Sequence, residues 1–204
     1  TAEVLVLSVK PQFYDAVIKE IKELITETQI IVTIAPGKTL EYLAGAFEKP
    51  VKLVRTMPNT PALVGEGITG VCRNDLVTKE ELDYICNILS GFGMAQVLSE
   101  NLMDVVVSVS GSSPAYVFML IEAMADGAVA DGMPRQQAYQ FAAQAVLGSA
   151  KMVLETGKHP GELKDMVCSP AGTTIEAVRV LEAKGFRSSV IEAMKACVKK
   201  AKGL

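Results

Sequence analysis

One stretch of sequence decides the fold class: residues 4–34, VLVLSVKPQFYDAVIKEIKELITETQIIVTI. Val4–Val9 and Ile30–Ile34 are continuous apolar runs, which predict two buried strands. Between them, Pro11–Ile25 carries apolar residues at helical spacing and predicts a helix. A strand, a helix and a second strand in this order indicate a parallel sheet with helices covering both faces.

The same alternation continues as far as residue 98. Helices are predicted over 39–47 and from Thr78 to about Gly91, where Thr78-Lys-Glu-Glu81 has the spacing of a capping box. Further strands are predicted at three apolar runs, Val51–Thr56, Ile68–Arg73 and Met94–Leu98. We therefore predict an α/β domain with a mostly parallel sheet over residues 1–98.

From Ser99 onward the strand-like runs disappear and helical periodicity takes over. Six helices are predicted, over residues 101–109, 114–131, 134–155, 160–167, 171–184 and 186–202. This pattern predicts an all-α domain over residues 99–204. The domain is so rich in apolar and small side chains that we expect one helical face to meet a partner subunit, with core packing alone as the alternative.

Composition narrows the functional class. The 204 residues are 50% hydrophobic and carry 20 Lys+Arg against 23 Asp+Glu, which excludes disorder and gives no cationic excess for binding nucleic acid. Four cysteines without a C-x-x-C pair and a single histidine argue against a metal site and favour the reducing cytoplasm. Acidic residues interrupt the apolar stretches, so we expect no membrane span.

The sequence begins with Thr1, and a predicted core strand starts at Val4. Because a strand inside a core needs neighbours on both sides, we expect a preceding segment that this sequence lacks. That segment would comprise roughly 60 residues and contain a first βαβ unit with a G-x-G-x-x-G/A turn. On this expectation the sequence holds about half of a dinucleotide-binding domain, and whether it is active by itself stays open.

The stretch Gly65-Glu-Gly67-Ile-Thr-Gly70 matches G-x-G-x-x-G literally. That fingerprint binds a dinucleotide only where it follows a strand and opens a helix. Here a proline-rich loop precedes the glycines and a predicted strand follows them. We interpret the pattern as a glycine-rich entry into a strand rather than as a cofactor site.

Three loops follow predicted strands and should lie at the carboxyl edge of the sheet, where ligands bind in open α/β folds. They are Val9-Lys10-Pro11, Ile34-Ala35-Pro36-Gly37 and Arg55-Thr-Met-Pro-Asn59-Thr60-Pro61. Lys10 could contact a phosphate or simply be an exposed lysine at a helix start. Asn59, between two prolines, fits either a preorganised polar contact or a rigid turn.

Two hydroxyl-rich segments open predicted helices. In Ser110-Gly-Ser-Ser-Pro-Ala-Tyr116, Ser113 is the expected N-cap and Pro114 the first helical residue. In Cys168-Ser-Pro-Ala-Gly-Thr-Thr174, two hydroxyls and exposed amides would suit a small carboxylate, unless they only cap the helix. His159 has no carboxylate or serine at motif spacing, so we do not expect a general base there. These residue types favour chemistry carried by a cofactor.

Several of these motifs stand in the order found in one known family. They are Leu7-Ser-Val-Lys-Pro11, Met57-Pro-Asn-Thr-Pro61, Ser110-Gly-Ser-Ser-Pro-Ala-Tyr116, and His159-Pro-Gly-Glu-Leu-Lys-Asp165 followed by Ser169-Pro-Ala-Gly-Thr-Thr174. With them the chain resembles pyrroline-5-carboxylate reductase from Thr1 to about Lys200. The resemblance implies a Rossmann-like domain, N-terminally truncated here, followed by an all-helical dimerisation domain.

The resemblance also implies an activity and an assembly. Members of this family reduce the cyclic imine 1-pyrroline-5-carboxylate to L-proline with NADPH or NADH, the last step of proline biosynthesis. Their active site lies between the cofactor domain and the helices of a homodimer, and the dimers often assemble into decamers.

The resemblance assigns site residues as well. Cofactor-binding residues would be Ser8, Val9, Lys10, Pro11, Ile34, Ala35, Pro36 and Asn59. The substrate would be bound by Glu100, Ala171, Gly172, Thr173 and Thr174, with no metal. The Thr174 hydroxyl would act in catalysis by orienting the ring nitrogen, while loop amides hold the substrate carboxylate.

The sequence departs from the family pattern at Ala171 and Ser113, where the family usually has glycine. An alanine held at positive φ would cost roughly 1 kcal/mol. We therefore expect position 171 to have a φ that alanine tolerates.

Two other interpretations stay open. One is a different two-domain NAD(P)-dependent reductase, acting on a keto or hydroxy acid. Such enzymes tend to use a lysine or histidine acid, for which Lys151 and Lys164 are the nearest candidates here. The other is a non-catalytic helical assembly fragment.

Overall fold

The computed structural model describes residues 2–203. Its sheet has five strands in the order β1 (Val4–Leu7), β2 (Ile30–Thr33), β3 (Lys52–Met57), β4 (Gly67–Arg73) and β5 (Gly93–Val97). Neighbouring strands are parallel except β3 and β4. Residues 58–66 connect β3 to β4, and a parallel neighbour would need a crossover of about a dozen residues or more. Because this connection is shorter, β4 runs antiparallel to β3. The predicted mostly parallel sheet is confirmed.

Three helices cover the two faces of this sheet, α1 (Tyr14–Ile21), α2 (Leu40–Phe47) and α3 (Lys79–Leu89). On one face the buried side chains of α1 and α2 pack with strand residues, namely Tyr14, Ile18, Leu43 and Phe47 with Ile31 and Leu53. On the other face α3 contributes Leu82 and Ile85, which pack with Ile30, Val32, Val54 and Val71. Successive β2 residues thus alternate between the faces, as the period of two requires. The predicted capping box between Thr78 and Glu81 opens α3.

After β5 the described chain is helical. It contains a 3₁₀ turn (Glu100–Leu102), α4 (Met103–Val106), a π-helical turn (Val107–Gly111), α5 (Ser113–Ala130), α6 (Arg135–Thr156), α7 (Pro160–Val167), α8 (Thr173–Ala183) and α9 (Phe186–Ala201). The last five helices agree with the predicted ranges to within two residues at each end. The predicted all-helical second half is therefore confirmed.

Two local predictions near residue 110 are wrong. The single helix expected over 101–109 is a 3₁₀ turn, one turn of α-helix and a π-helical turn. Ser113 is not an N-cap but the first residue of α5, because Ser112 before it is already helical (φ −97°, ψ −26°). The Ser112 N–H donates to Val107 O at 2.8 Å. The chain therefore enters α5 without the extended residue that an N-cap needs.

Contacts divide the chain into two compact units. One runs up to Pro114 and takes in the segment from Met194 onward, while the other comprises Ala115–Ala193. The change from α/β to helical structure falls after β5, close to the predicted boundary. The division into domains 1–98 and 99–204 stays a prediction, because a compact unit is not by itself an independently folding domain.

Among residues 2–203, the segment Glu100–Ala130 is long and apolar enough to cross a membrane by length and composition alone. Only 11% of its apolar window is buried within the chain. The core helix of a soluble protein passes the same test, so one such segment is weak evidence for a span. The expectation of no membrane partner stays a prediction.

Candidate active site

The carboxyl ends of β1, β2 and β3 lie side by side, because Leu7 pairs with Thr33 and Thr33 pairs with Arg55. The loops predicted to bind the cofactor therefore leave the sheet at one edge. Tyr14 links the first two loops, since its hydroxyl donates to Leu7 O at 2.8 Å and accepts from Ile34 N at 3.4 Å. Burial raises the pKa of Tyr14, so the phenol stays protonated at neutral pH.

The predicted cofactor-binding residues of the first two loops differ in exposure. Ser8, Lys10 and Pro36 are exposed, Val9, Pro11 and Ile34 are half-buried, and Ala35 is buried. Because the Ala35 methyl lies in the core cluster with Tyr14, this residue can offer a ligand only its backbone. The buried hydroxyl of Thr33, at the end of β2, has no hydrogen-bond partner within the described residues.

Glu100, predicted to lie near the substrate, is bonded to two segments of the α/β structure. Its Oε1 accepts from Arg55 Nη1 at 2.9 Å and from Leu40 N at 2.7 Å. Leu40 is the first residue of α2, where the helix dipole favours a carboxylate. These bonds give Glu100 a structural role, and its contact with substrate stays a prediction.

Asn59, predicted to contact the cofactor, has protein partners at both ends of its side-chain amide. Its Oδ1 accepts from Ile68 N at 2.9 Å, and its Nδ2 donates to Ser110 O at 3.1 Å. The loop after β3 is therefore attached both to β4 and to the π-helical turn. A contact with cofactor by this residue stays a prediction.

The interpretation of the Gly65–Gly70 pattern as a strand entry is confirmed, because β4 begins at Gly67. Gly65 follows the 3₁₀ turn Thr60–Val64 with φ 77°, a left-handed conformation that favours glycine. Gly67 pairs with Gly93, and a Cβ added to Gly93 would lie 2.0 Å from Gly67 O. These glycines allow the backbones of β4 and β5 to approach each other.

The predicted substrate loop lies at the start of α8. Gly172 is the N-cap residue in extended conformation and, having no side chain, makes no cap bond to the helix. Thr173 and Thr174 are the first two residues of α8. Their backbone N–H groups lie where intrahelical acceptors are missing and where the helix dipole stabilises an anion. This arrangement can bind a small carboxylate.

The expectation that Ala171 has a φ tolerated by alanine is wrong. Its φ is 56°, in the left-handed region that costs a residue with a Cβ roughly 1–2 kcal/mol. Ser169 O accepts from Gly172 N at 3.0 Å, so residues 169–172 form a β-turn with Pro170 and Ala171 in its centre. Proline followed by a residue at positive φ is the pattern of a type II turn, which explains the conformation.

Ser169 belongs to this loop, although it is absent from the predicted site. A Cβ added to Gly172 would lie 2.3 Å from Ser169 Oγ, so the serine hydroxyl packs against the helix start and would have to move if residue 172 had a side chain. The signal that could have found it was the turn chemistry of Pro170, which folds Ser169 back onto the residue three positions later.

His159 has a structural contact. Its Nδ1 accepts from Gly161 N at 3.0 Å and caps α7, with Pro160 at the first helical position. This role is in line with the expectation that His159 is not a general base. Within residues 2–203, the structure contains no group of three or more His, Cys, Asp or Glu side chains that could hold a metal ion.

Comparison with known proteins settles the family. Residues 100–204 match the family described as pyrroline-5-carboxylate reductase dimerisation. The pyrroline-5-carboxylate reductase of Escherichia coli (strain K12) is 59% identical over 203 residues, which cover 100% of this chain and 76% of that protein. The chain belongs to the pyrroline-5-carboxylate reductase family. The resemblance seen in the sequence motifs is therefore confirmed.

Solved structures of this family have the same fold. A pyrroline carboxylate reductase of Plasmodium falciparum with NADP bound matches with a TM-score of 0.92 at 31% identity, covering 99% of this chain and 77% of that one. A pyrroline-5-carboxylate reductase of Coxiella burnetii matches with a TM-score of 0.93 at 36% identity, covering 100% of this chain and 76% of that one. The predicted fold class, a Rossmann-like α/β part followed by a helical dimerisation part, is confirmed.

Proposed function

We propose that this chain reduces 1-pyrroline-5-carboxylate to L-proline with a reduced nicotinamide cofactor, the last step of proline biosynthesis. The observation that carries the proposal is the 59% identity to the E. coli pyrroline-5-carboxylate reductase over the whole chain. The start of α8 has matching chemistry, because uncapped helix amides beside two hydroxyls can bind the carboxylate of this substrate.

The cofactor would bind at the carboxyl edge of the sheet, where β1 and β2 end and the loops after them begin. The residues there fit such a group: Lys10 is an exposed cation, and the buried Thr33 hydroxyl has no hydrogen-bond partner among residues 2–203. Ser8–Pro11 and Ile34–Pro36 would line the site. We propose NADPH as the main cofactor, supported by the NADP in the Plasmodium falciparum structure, with NADH as the alternative. Stabilisation measured against the concentration of each dinucleotide distinguishes them.

The reaction requires little acid–base chemistry from the chain. When bound, the reduced nicotinamide supplies a hydride for the imine carbon. Protonation of the imine nitrogen makes that carbon electrophilic, and the product is the secondary amine of proline. The α8 amides would fix the carboxylate, and the Thr174 hydroxyl would orient the ring nitrogen. Correct placement of the reacting atoms can supply a large part of the rate enhancement.

The assay that tests this function compares two substrates. The purified full-length protein, with NADPH or NADH, is given either 1-pyrroline-5-carboxylate or a 2-keto acid, and oxidation of the cofactor is followed. We expect turnover of the imine only. Turnover of the keto acid alone would favour the second reductase class, and no turnover of either would favour a non-catalytic assembly fragment.

The role of Thr174 is tested by substitution. Thr174→Ala should lower kcat/KM roughly tenfold to a hundredfold, because a hydrogen bond to a charged group contributes about 1.5–3 kcal/mol. Thr174→Ser, which keeps the hydroxyl, should recover most of the loss. The exposed Thr28 serves as a matched control in Thr28→Ala. An unchanged kcat/KM in Thr174→Ala would remove this residue from the mechanism.

The chain carries the dimerisation region of its family, which supports self-association. Large apolar side chains are exposed on α5 and α6, namely Phe118 (60%), Met119 (68%), Phe141 (69%) and Leu154 (75%). Such an apolar surface is typical of an interface between subunits. We propose a homodimer that assembles further into a homodecamer, and sedimentation equilibrium measures both steps.

We propose a cytoplasmic location, without a nucleic-acid or membrane partner. The four cysteines, Cys72, Cys86, Cys168 and Cys197, are all free thiols, which suits a reducing compartment. The net charge of −3 gives no general attraction for nucleic acid. Cell fractionation tests the location, and recovery of the protein in the membrane fraction would contradict it.

A further inference from the structure

The side chain of Asn59 joins three segments of the first compact unit. It follows β3, and its amide bonds both to Ile68 N in β4 and to Ser110 O in the π-helical turn. Donor and acceptor are both used, and the side chain is half-buried. One residue thus sets the distance between the carboxyl end of β3 and a helical segment about fifty residues later in the chain.

The usual α-helical donor to Ser110 O is missing for a covalent reason. In an α-helix this carbonyl would accept from the N–H four residues later, but that residue is Pro114, which has no N–H. The π-helical turn Val107–Gly111 precedes it, with its own bond from Ser112 N to Val107 O at 2.8 Å. The Asn59 amide therefore donates to a carbonyl whose usual i+4 donor is absent.

The π-helical turn and the residue before it are packed closely against the sheet. A Cβ added to Gly70 in β4 would lie 3.0 Å from Val106 Cγ1, and one added to Gly111 would lie 3.0 Å from the terminal carbon of Met57. Both distances are shorter than ordinary van der Waals contacts. The turn is thus packed closely against β4 and the end of β3, and Asn59 is the polar link at the same place.

We propose that Asn59 is a positioning residue for the reductase reaction. By holding Ser110 O, it keeps the loop after β3 in one arrangement at the carboxyl edge of the sheet, where ligands of open α/β folds bind. π-Helical turns are rare and occur frequently at functional sites. This inference rests on the proposed function.

The chain offers a matched control at the opposite edge of the same sheet. Asn74 is also half-buried and also uses both ends of its amide, accepting from Leu53 N at 3.1 Å and donating to Val51 O at 2.8 Å. Asn59→Ala and Asn74→Ala therefore remove the same kind and number of bonds. We expect similar shifts of the unfolding midpoint in the two variants.

Kinetics of the full chain then separate positioning from stability. Asn59→Ala should lower kcat/KM by about tenfold or more, since small misplacements of reacting groups have effects of that size. Asn74→Ala should leave kcat/KM within about twofold of the wild type. Equal kcat/KM losses in the two variants, or no loss in Asn59→Ala, would overturn the inference.

A second substitution tests the chemical reason. Pro114→Ala restores an N–H that can donate to Ser110 O within the helix, so the double variant Asn59→Ala/Pro114→Ala should recover part of the lost kcat/KM. Asn59→Asp keeps the acceptor for Ile68 N but places an oxygen against Ser110 O, and it should be no better than Asn59→Ala. A double variant no more active than Asn59→Ala would show that the carbonyl is not the relevant contact.

Hydrogen–deuterium exchange provides a readout that does not depend on turnover. Exchange of the amides in residues 107–112 should be faster in Asn59→Ala than in the wild type and unchanged in Asn74→Ala. If the full-length wild-type protein fails to reduce the imine, the proposed function is refuted, and the exchange still decides whether Asn59 holds the turn. Equal exchange in the wild type and Asn59→Ala would overturn the inference.

Discussion

The guanidinium of Arg55 donates to Glu100 Oε1 at 2.9 Å, and the same oxygen accepts the first N–H of α2, from Leu40, at 2.7 Å. Arg55 is only 3% exposed, and its second nearby carboxylate, on Asp104, is 3.8 Å away. A buried guanidinium without a bonded carboxylate is costly. The Glu100 carboxylate therefore joins β3, α2 and the start of the helical segment.

Glu100→Gln should lower the free energy of unfolding by about 1–2 kcal/mol. The glutamine oxygen can still accept both hydrogen bonds, but bonds to a charged acceptor are stronger by roughly this amount. Urea denaturation at neutral pH measures the change. The exposed Glu66 provides the control, since Glu66→Gln should change stability by less than about 0.5 kcal/mol. Equal effects in the two variants would contradict the structural role.

The sheet and its helices could be predicted because their signals are local. Apolar runs mark β1 and β2, and the Thr78–Glu81 spacing marks the start of α3, so neither prediction needs knowledge of distant residues. The antiparallel pairing of β4 also follows from a short connection. Local pattern and final structure agree at these elements, as minimally frustrated sequences require.

The site could be predicted only in part, because its contacts join distant segments. The start of α8 follows from hydroxyls and glycine near one another in sequence. The partners of Glu100 and Asn59 lie dozens of residues away, and no periodicity specifies them. The φ of Ala171 differs from the expectation for a related reason, since it is imposed by the turn between α7 and α8 and not by the residue's own preference.

Acid pH should weaken the capping box of α3. A bond from Lys52, and then the Thr78 backbone N–H, hold the pKa of Glu81 below its ordinary value of 4.5. A carboxylate with a lowered folded-state pKa stabilises the protein above the unfolded pKa, and that stability is lost as pH falls through the folded pKa. Glu81→Gln should therefore cost about 0.5–1 kcal/mol at pH 7.

The difference between wild type and Glu81→Gln should shrink as the pH is lowered and vanish once Glu81 is protonated in both states. Urea denaturation repeated over a series of pH values measures this trend. Glu20→Gln, at an exposed helical position, serves as the control and should show no comparable trend. A difference that stays constant down to acid pH would contradict the ionic origin of the stabilisation.

Cys72 should be unreactive in the folded protein. Burial, and then the nearby Glu100 carboxylate, raise the pKa of its thiol to about 11. At pH 8 roughly one Cys72 thiol in a thousand is then ionised, and the thiolate is the reactive form. Alkylation with iodoacetamide followed by peptide mapping should leave Cys72 unmodified in native protein and modify it fully in urea. Rapid native labelling would show that the thiol is accessible.

Ala171→Gly should stabilise the protein by about 0.5–1 kcal/mol. The left-handed φ of 56° costs alanine roughly 1–2 kcal/mol, and glycine removes that cost while adding about 0.4–1 kcal/mol of unfolded-state entropy. Ala177→Gly, at an exposed position within α8, is the matched control and should destabilise by about 1 kcal/mol. The same substitution should thus change the free energy of unfolding in opposite directions at two positions six residues apart. At 171 the turn holds a left-handed φ that favours glycine, whereas at 177 the helix favours alanine. Destabilisation by both variants, measured by urea denaturation, would mean that the turn imposes no strain on Ala171.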